Sequence, residues 1–423
     1  MNSPELLAPA GNYDCIRAAC DHGADAVYVG IGPYNLRAHS ANFSVEELCE
    51  AVSYVRSCNR LIYAAVNTMP NDRMLGEIEL LIRALAEQEA LPDAFIVSDP
   101  GVITVCQKYL PQIPLHLSTQ TGTFNSASAA FWQQHGVTRV VLPREMSLEE
   151  ITAFTAASPV ETEVFVHGAM CVSISGRCLL GAYLSGRHPN RGDCPQPCRL
   201  KYRITPDDAE MPNTNGEWLS VEETGPDEPL AYILNSKDLN TLSILPQIVA
   251  SGVSSLKIEG RNKSAHYVAS VVKVYREALD ICCSKSEPYK LKQEWHDELD
   301  RVDHRTYTTG FYAGEYNLQE PDISHTRSDL RVVGTVKGLM INGDALVDVK
   351  NPFSPGDTLN VLPVKQGAAP YDVSISHIGD INGNTLPRAL TNRIVVAATT
   401  MPLRIGDMLR KKDSSRKSPA LQS

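Results

Sequence analysis

The stretch PELLAPAGNYDCIRAACDHGADAVYVG, Pro4 to Gly30, reads as a short apolar run, a glycine-containing turn, a segment of helical periodicity and a second short apolar run. It places strands at Leu6 to Ala8 and Ala26 to Val29 around a helix at Tyr13 to His22. Two strands joined through a helix run parallel, because the helix carries the chain back to the starting edge. The pattern then repeats, with strands expected at Leu61 to Val66, Ala94 to Val97, Leu115 to Leu117, Val140 to Leu142, Val164 to Val166 and Leu256 to Ile258. Helices are expected at Val45 to Ser57, Met74 to Glu89, Ser126 to His135, Leu148 to Ala157, Leu242 to Ala250 and Ala265 to Cys283. Eight strands in alternation with helices suit an α/β fold of the (β/α)8 TIM-like barrel type. An open doubly wound sheet is the alternative, but GPYNL at Gly32 to Leu36 is no G-x-G-x-x-G phosphate loop.

Barrels of this type carry their chemistry where the strands end. Polar residues follow the expected ends directly: Asn67, Ser98 and Asp99, Ser118 to Gln120, Arg144 and Glu145, His167, and Glu259 to Arg261. Each alone is an ordinary structural hydrogen-bonder. As a ring they are candidates for orienting a substrate, with Glu145, His167, Lys257, Glu259 and Arg261 as the catalytic candidates. Lys257 alternates with Glu259, a spacing that points both into the barrel as a buried ion pair.

From one of these ends opens EVFVHGAMCVSISGRCLLGAYLSGRHPNRGDCPQPCRLKYR, Glu163 to Arg203, which holds four of the eleven cysteines. Cys171, Cys178, Cys194 and Cys198 are spaced C-x6-C-x15-C-x3-C among glycines and prolines that keep the backbone turning. Four thiolates on one loop suit an iron–sulfur cluster. A structural zinc and unliganded buried thiols are the other readings; zinc is the less suited, since only Cys194 and Cys198 approach the usual C-x2-4-C knuckle. Cys15, Cys20, Cys49, Cys58, Cys106, Cys282 and Cys283 fall on expected helices or their flanks and read as packing residues.

The amino terminus shows no basic and apolar leader, and no apolar run reaches the eighteen or so residues of a membrane span. Eleven cysteines without an export signal belong to a reducing compartment, so a cytoplasmic protein with no membrane contact is expected. A net charge of −10 argues against indiscriminate coating of nucleic acid. The cysteine loop is locally basic, with Arg177, Arg187, Arg191, Arg199, Lys201 and Arg203 against Asp193 alone. Arg177, Arg187, Arg191 and Arg199 form a candidate RNA-facing rim; the plainer reading is a solvated loop paired with carboxylates elsewhere.

Domain organisation follows texture. Residues 1–318 read as the barrel domain, with the cysteine loop at 163–203 and an acidic, Pro- and Gly-rich insertion at 205–229. Residues 319–329 read as a linker. Residues 330–412 change to short alternating strands with Asn-Gly turns at Asn342-Gly343 and Asn382-Gly383, the pattern of a small β-barrel. Residues 413–423 read as a disordered tail.

The segments VHGAMCVSISGRCLL and NRGDCPQPCR resemble the signature of the U32 peptidase-like family. PELLAPAGN, GADAVYVG, LHLSTQ, RVVLPRE, NSKDL and SLKIEGR extend the resemblance over roughly the first three quarters of the chain, and the tail resembles the β-domain of one branch. The family was named for a protease. Its better-understood members resemble oxygen-independent hydroxylation factors that carry a [4Fe–4S] cluster and act on tRNA, ribosomal RNA or a quinone precursor. The resemblance implies Cys171, Cys178, Cys194 and Cys198 as cluster ligands and tRNA as partner. It further implies 5-hydroxyuridine at the wobble position as product and prephenate as the required metabolite beside a small-molecule hydroxyl donor. The competing expectation is a peptidase, for which His167 and Cys171 supply a base and a nucleophile, although H-E-x-x-H is nowhere in the chain. A further alternative is a structural binding module, which leaves the cysteines without a role.

Overall fold

A computed structural model describes residues 3–38, 41–202, 231–284, 288–326 and 328–413. The insertion expected at 205–229 and the tail beyond Asp413 lie outside the described residues. Seven parallel strands run in sequence order: β1 (Glu5–Pro9), β2 (Ala26–Gly30), β3 (Leu61–Val66), β4 (Ala94–Val97), β5 (Leu115–Leu117), β6 (Val137–Val141) and β7 (Glu161–Ala169). The short β8 (Asp238–Asn240) leaves the ring, and β9 (Ser255–Ile258) enters it, pairing in parallel with both β7 and β1. That double pairing closes the barrel and excludes the open sheet. β8 and β10 (Tyr307–Thr308) instead extend β7 outward beyond the ring, with β8 antiparallel to it.

Alternation along each strand divides two environments. Val27, Val29, Ile62, Ala64, Leu256 and Ile258 pack under the helices, whereas Ala26, Tyr28, Tyr63, Ala65 and Ile96 fill the barrel. The lower interior is polar. Arg139 reaches Glu5 at 2.7 Å and Glu163 at 3.4 Å, and Lys257 reaches Glu163 at 2.8 Å. Burial works against a charged Glu163, yet Lys257, Arg139 and His116 bring its pKa down to about 2.

Local chemistry starts and stops the helices. Asn12 caps α1 (Tyr13–His22) by accepting from Cys15 N, and Gly23 ends it at φ 103°. Capping boxes of Ser44 with Glu47 and Ser147 with Glu150 open α2 (Val45–Ser57) and α6 (Leu148–Ala157). Between them lie α3 (Asp72–Ala86), α4 (Pro100–Tyr109) and α5 (Ser126–Gln134). Periodicity did not show α4, because PGVITVCQKY is rich in β-branched residues. Its signals are Asp99, which accepts from Gly101 N and Val102 N, and Pro100 in the first turn. The remaining helices are the short α7 (Leu180–Ser185), then α8 (Leu245–Ala250), the nineteen-residue α9 (Ala265–Cys283) and α10 (Gln293–Leu299).

Residues 319–326 lie along the barrel domain, with Asn235 Nδ2 donating to Ile323 O at 3.0 Å and Tyr232 N to Pro321 O at 2.9 Å. Strands β11 (Leu330–Leu339), β12 (Ala345–Val349), β13 (Thr358–Leu362), β14 (Tyr371–Gly379), β15 (Ile394–Thr399) and β16 (Met408–Lys412) then close a second, antiparallel barrel in the order β11-β12-β15-β14-β13-β16. Gly343 and Gly383 stand at φ 91° and 90°, as their Asn-Gly turns require. This barrel docks on α9 and α10. Leu362 and Met408 join the first domain's core, and fully buried Arg410 clasps Glu298 at 2.5 and 3.1 Å.

Candidate active site at the barrel mouth

β7 leaves the barrel through Gly168, whose φ is 108° and where a Cβ would stand 2.4 Å from Glu259 O. The loop that follows folds by single turns over the mouth and is fastened at several points. Ser175 takes a left-handed conformation, φ 43° and ψ 37°, and Glu145 holds it by accepting from its N at 2.7 Å and its Oγ at 2.8 Å. Asn190 Oδ1 accepts from Cys178 N at 3.2 Å, while its carbonyl accepts from Met69 N at 3.0 Å. Gly192 lies so close to the β2–α2 loop that a Cβ there would meet Asn35 O at 2.2 Å. Gln196, between the last two cysteines, is left-handed at φ 55°.

These fastenings bring Cys171, Cys178, Cys194 and Cys198 to the wall of one cavity of about 270 Å³, and none of the other seven cysteines lines it. Backbone N–H groups already point at two of the sulfurs, Ser173 N at 3.5 Å from Cys171 and Leu180 N at 3.4 Å from Cys178. Cys171 is exposed as a residue, yet crowding around its sulfur pushes the thiol up, chiefly by desolvation and further by Cys178 and Cys194, against the Ser173 N–H and Arg144. Cys198 is raised in the same way, by burial and then by Cys171 and Cys194, against Arg199. Thiols that oppose one another's ionisation favour a cationic centre among them. Among the described residues, no three His, Cys, Asp or Glu side chains are gathered around a position for a single metal ion. In chemical kind the donor set fits an iron–sulfur cluster: four thiols on one cavity wall, with N–H groups directed at two of the sulfurs.

The rest of the cavity wall is cationic. Arg37, Arg144, Arg187, Arg199, Arg261 and Lys257 line it against one carboxylate, Glu259. Glu259 pairs with Arg37 at 3.3 Å and Arg144 at 3.8 Å. Burial disfavours its charge, but Arg37, Arg144 and Lys257 hold its pKa below the usual carboxylate value. Lys257 pairs with Glu163, not with Glu259 as the alternation suggested; Glu259 lies beyond the end of β9 and turns to the arginines. Arg261 is buried and committed, donating to Asn35 Oδ1 and Asn42 Oδ1 at 2.7 Å each. Its role is to pin the β2–α2 loop, and burial lowers its pKa to about 10.

Lys257, Glu259 and Arg261 thus reach the cavity, and His167 and Glu145 do not. The reason for His167 is a register shift between Phe165 and His167 against β9, which sets His167 opposite Ile258. Its ring then lies among Tyr267, Tyr275 and Tyr307 at 5.4 to 6.0 Å, with both nitrogens unpartnered and its pKa lowered to about 3 by burial. It makes no hydrogen bond to Cys171, so the described residues hold no Cys–His dyad. Of the basic rim, Arg177 and Arg191 are exposed, Arg187 pairs with Asp193 at 2.6 Å, and Arg199 is half-buried at the cavity wall. Sequence reasoning missed Arg37 and Tyr28. Tyr28 was findable as the inward member of AVYVG, but Arg37 sits in a loop with no periodicity to mark it.

Glu145 acts through the cysteine loop. Glu145→Ala removes both acceptors from Ser175, whose left-handed backbone costs roughly 1–2 kcal/mol. Limited trypsin digestion is expected to cut faster at Arg177, Arg187 or Arg191, while the far-ultraviolet melting curve of the barrel stays close to that of the unchanged protein.

A (β/α)8 barrel whose mouth is roofed by a four-cysteine loop, with a small β-barrel docked on its side, defines the class. The model of peptidase family U32 matches residues 11–320, and the chain belongs to that family. It is 35% identical over 427 residues to tRNA hydroxylation protein P of Escherichia coli, covering 92% of each chain. It is 33% identical to the 23S rRNA 5-hydroxycytidine C2501 synthase of the same organism, over 85% of this chain and 52% of that one. A collagenase of Porphyromonas gingivalis is 31% identical over 74% of this chain and 75% of its own. Among the described residues, no helix is long and apolar enough to cross a membrane.

Proposed function

We propose that this protein is an RNA-modifying hydroxylase that converts the wobble uridine of tRNA to 5-hydroxyuridine without molecular oxygen, with a [4Fe–4S] cluster on Cys171, Cys178, Cys194 and Cys198 and prephenate as co-substrate. The observation that carries it is the convergence of those four thiols on a cationic cavity at the barrel mouth, where this fold performs its chemistry. The names borne by the hydroxylating relatives, one acting on tRNA and one on ribosomal RNA, support the same class of substrate.

Replacing C5–H by C5–OH takes two electrons from the base and adds one oxygen atom, so a small-molecule hydroxyl donor that gives up its oxygen and is itself reduced by two electrons has to meet the base in the cavity. Prephenate carries two carboxylates, and Arg37 and Arg144 offer guanidinium groups on the cavity wall. Glu259 keeps those two arginines oriented between turnovers. A cluster held by Cys171, Cys178, Cys194 and Cys198 would supply one-electron transfer, at a potential tuned by the N–H groups directed at the Cys171 and Cys178 sulfurs and by exposure. Wobble bases lie in a single-stranded loop, so no duplex has to open for one to enter.

The test is nucleoside mass spectrometry of bulk tRNA from a strain lacking the gene. Wobble 5-hydroxyuridine derivatives are expected to vanish, with uridine in their place and ribosomal RNA unchanged. Normal tRNA with a missing ribosomal hydroxylation would move the substrate to ribosomal RNA.

A further inference from the structure

A second cavity is larger than the cysteine pocket. A groove of about 1190 Å³ runs between the two barrels, and it shares Ala169, Gln196, Arg199 and Asn262 with the wall of the cysteine cavity. These four residues form a wall common to the two spaces. One side of the groove is α1 and the first turn of α9; the other is β11 with the turn before β16.

Its charge departs from that of the chain. The protein carries −10 overall, yet seven lysines and arginines line this groove against four aspartates. Some of the seven are already engaged, Arg305 with Asp238 and Lys350 with Asp14 among them. Others are not. Among the described residues, no ion pair or hydrogen bond within 4 Å holds the charged end of Arg199 or Lys337, and Arg17 lies over the rings of Tyr13 and Tyr54 at 5.6 and 5.7 Å. Lys263 holds its proton less firmly than a free lysine, through burial first and then the Arg199 and Arg305 charges, against Asp238 and Asp303.

We propose that the groove seats the sugar–phosphate backbone of the RNA substrate, with Arg17 on α1 and Lys337 on β11 as phosphate contacts and Arg199 on the wall it shares with the cysteine cavity. This rests on the RNA reading above and gives the second barrel a role in it. Phosphate contacts fix register without reading sequence, so a backbone lying in the groove sets one base beside the cysteine cavity at Arg199. An anionic strand also suits a groove built from two domains, because each supplies cations along a different stretch of its length.

The experiment uses the full-length protein and bulk tRNA, with dissociation constants measured across a salt series. The variants are Arg17→Glu, Lys337→Glu and the milder Lys337→Ala, and the control is Arg393→Glu, an equal charge change at an exposed site of the second barrel outside the groove. Each groove reversal is expected to weaken binding at least tenfold and to lower the slope of log affinity against log salt by about one. Lys337→Ala should lower the slope similarly with a smaller loss, the control should change little, and iron content should stay constant throughout. If the unchanged protein binds tRNA and the groove variants match it, the groove holds something else, such as an acidic protein, and the proposal is overturned. An equal loss in the control would also overturn it, since net charge alone would then explain the effect. No binding by the unchanged protein would sink the RNA reading itself.

Discussion

A strain whose only copy of the protein carries Cys194→Ala is expected to accumulate tRNA with unmodified wobble uridine, as completely as a strain without the gene. Changing Cys171, Cys178 or Cys198 to Ala should give the same result, and so should all four changes together. Ligands that act as one unit are not additive: losing the first removes the function, and the others have nothing left to lose. The four are alone among the eleven cysteines in lining the cavity. Cys15 and Cys106 are fully buried packing residues, with Cys106 pushed up to about 12 by burial. Cys15→Ala and Cys106→Ala should therefore keep hydroxylation while losing some stability, of the order of 1 kcal/mol per methylene-sized void. A Cys194→Ala strain with normal wobble nucleosides would remove the cysteine site from the mechanism.

The second large effect is expected on stability. Arg410 and Glu298 are almost wholly buried where the second barrel meets α9 and α10, and the network adds Asn360 at 2.6 Å, His266 at 3.1 Å and Ser270 at 2.5 Å. Arg410→Ala leaves the buried Glu298 with only the half-exposed Arg301, 3.0 Å away, as counter-charge; breaking a buried pair typically costs about 3–5 kcal/mol, and Arg301 holds the loss to the lower end. The double variant Arg410→Met with Glu298→Gln should lose less than the single one, because no unpaired charge remains. Burial disfavours the Glu298 carboxylate, but Arg410 and Ser270 hold its pKa below the ordinary value. Its contribution is therefore complete above the unfolded carboxylate range and fades as pH falls through the folded pKa. Urea unfolding of the two variants at neutral pH reads the difference. Equal losses would show that the packing around Leu362 and Met408, rather than the ion pair, holds the domains together.

How far the structure could be read in advance depended on whether a feature leaves a local mark. All eight barrel strands were legible, since short apolar runs between turn residues report buried parallel strands directly. Closure was not. It rests on β9 pairing with β7 and β1, contacts far apart in sequence that no local pattern encodes. The cysteines were legible as a group because they share one loop, whereas His167 was misplaced by a single register shift in β7. Glu145 stood in the expected ring but serves the loop above it, a distinction that needs the Ser175 contact to be seen. Arg37 and the groove between the barrels had no signal at all, because both arise from surfaces brought together only by folding.

The central claim is that the four-cysteine cavity is an iron–sulfur site. Its most direct test is iron and acid-labile sulfide analysis with an absorption spectrum of the protein purified without oxygen. About four of each per chain and a broad band near the blue end of the visible range are expected, both lost in the quadruple Cys→Ala variant. Zinc in place of iron, or iron and sulfide retained by that variant, would contradict it.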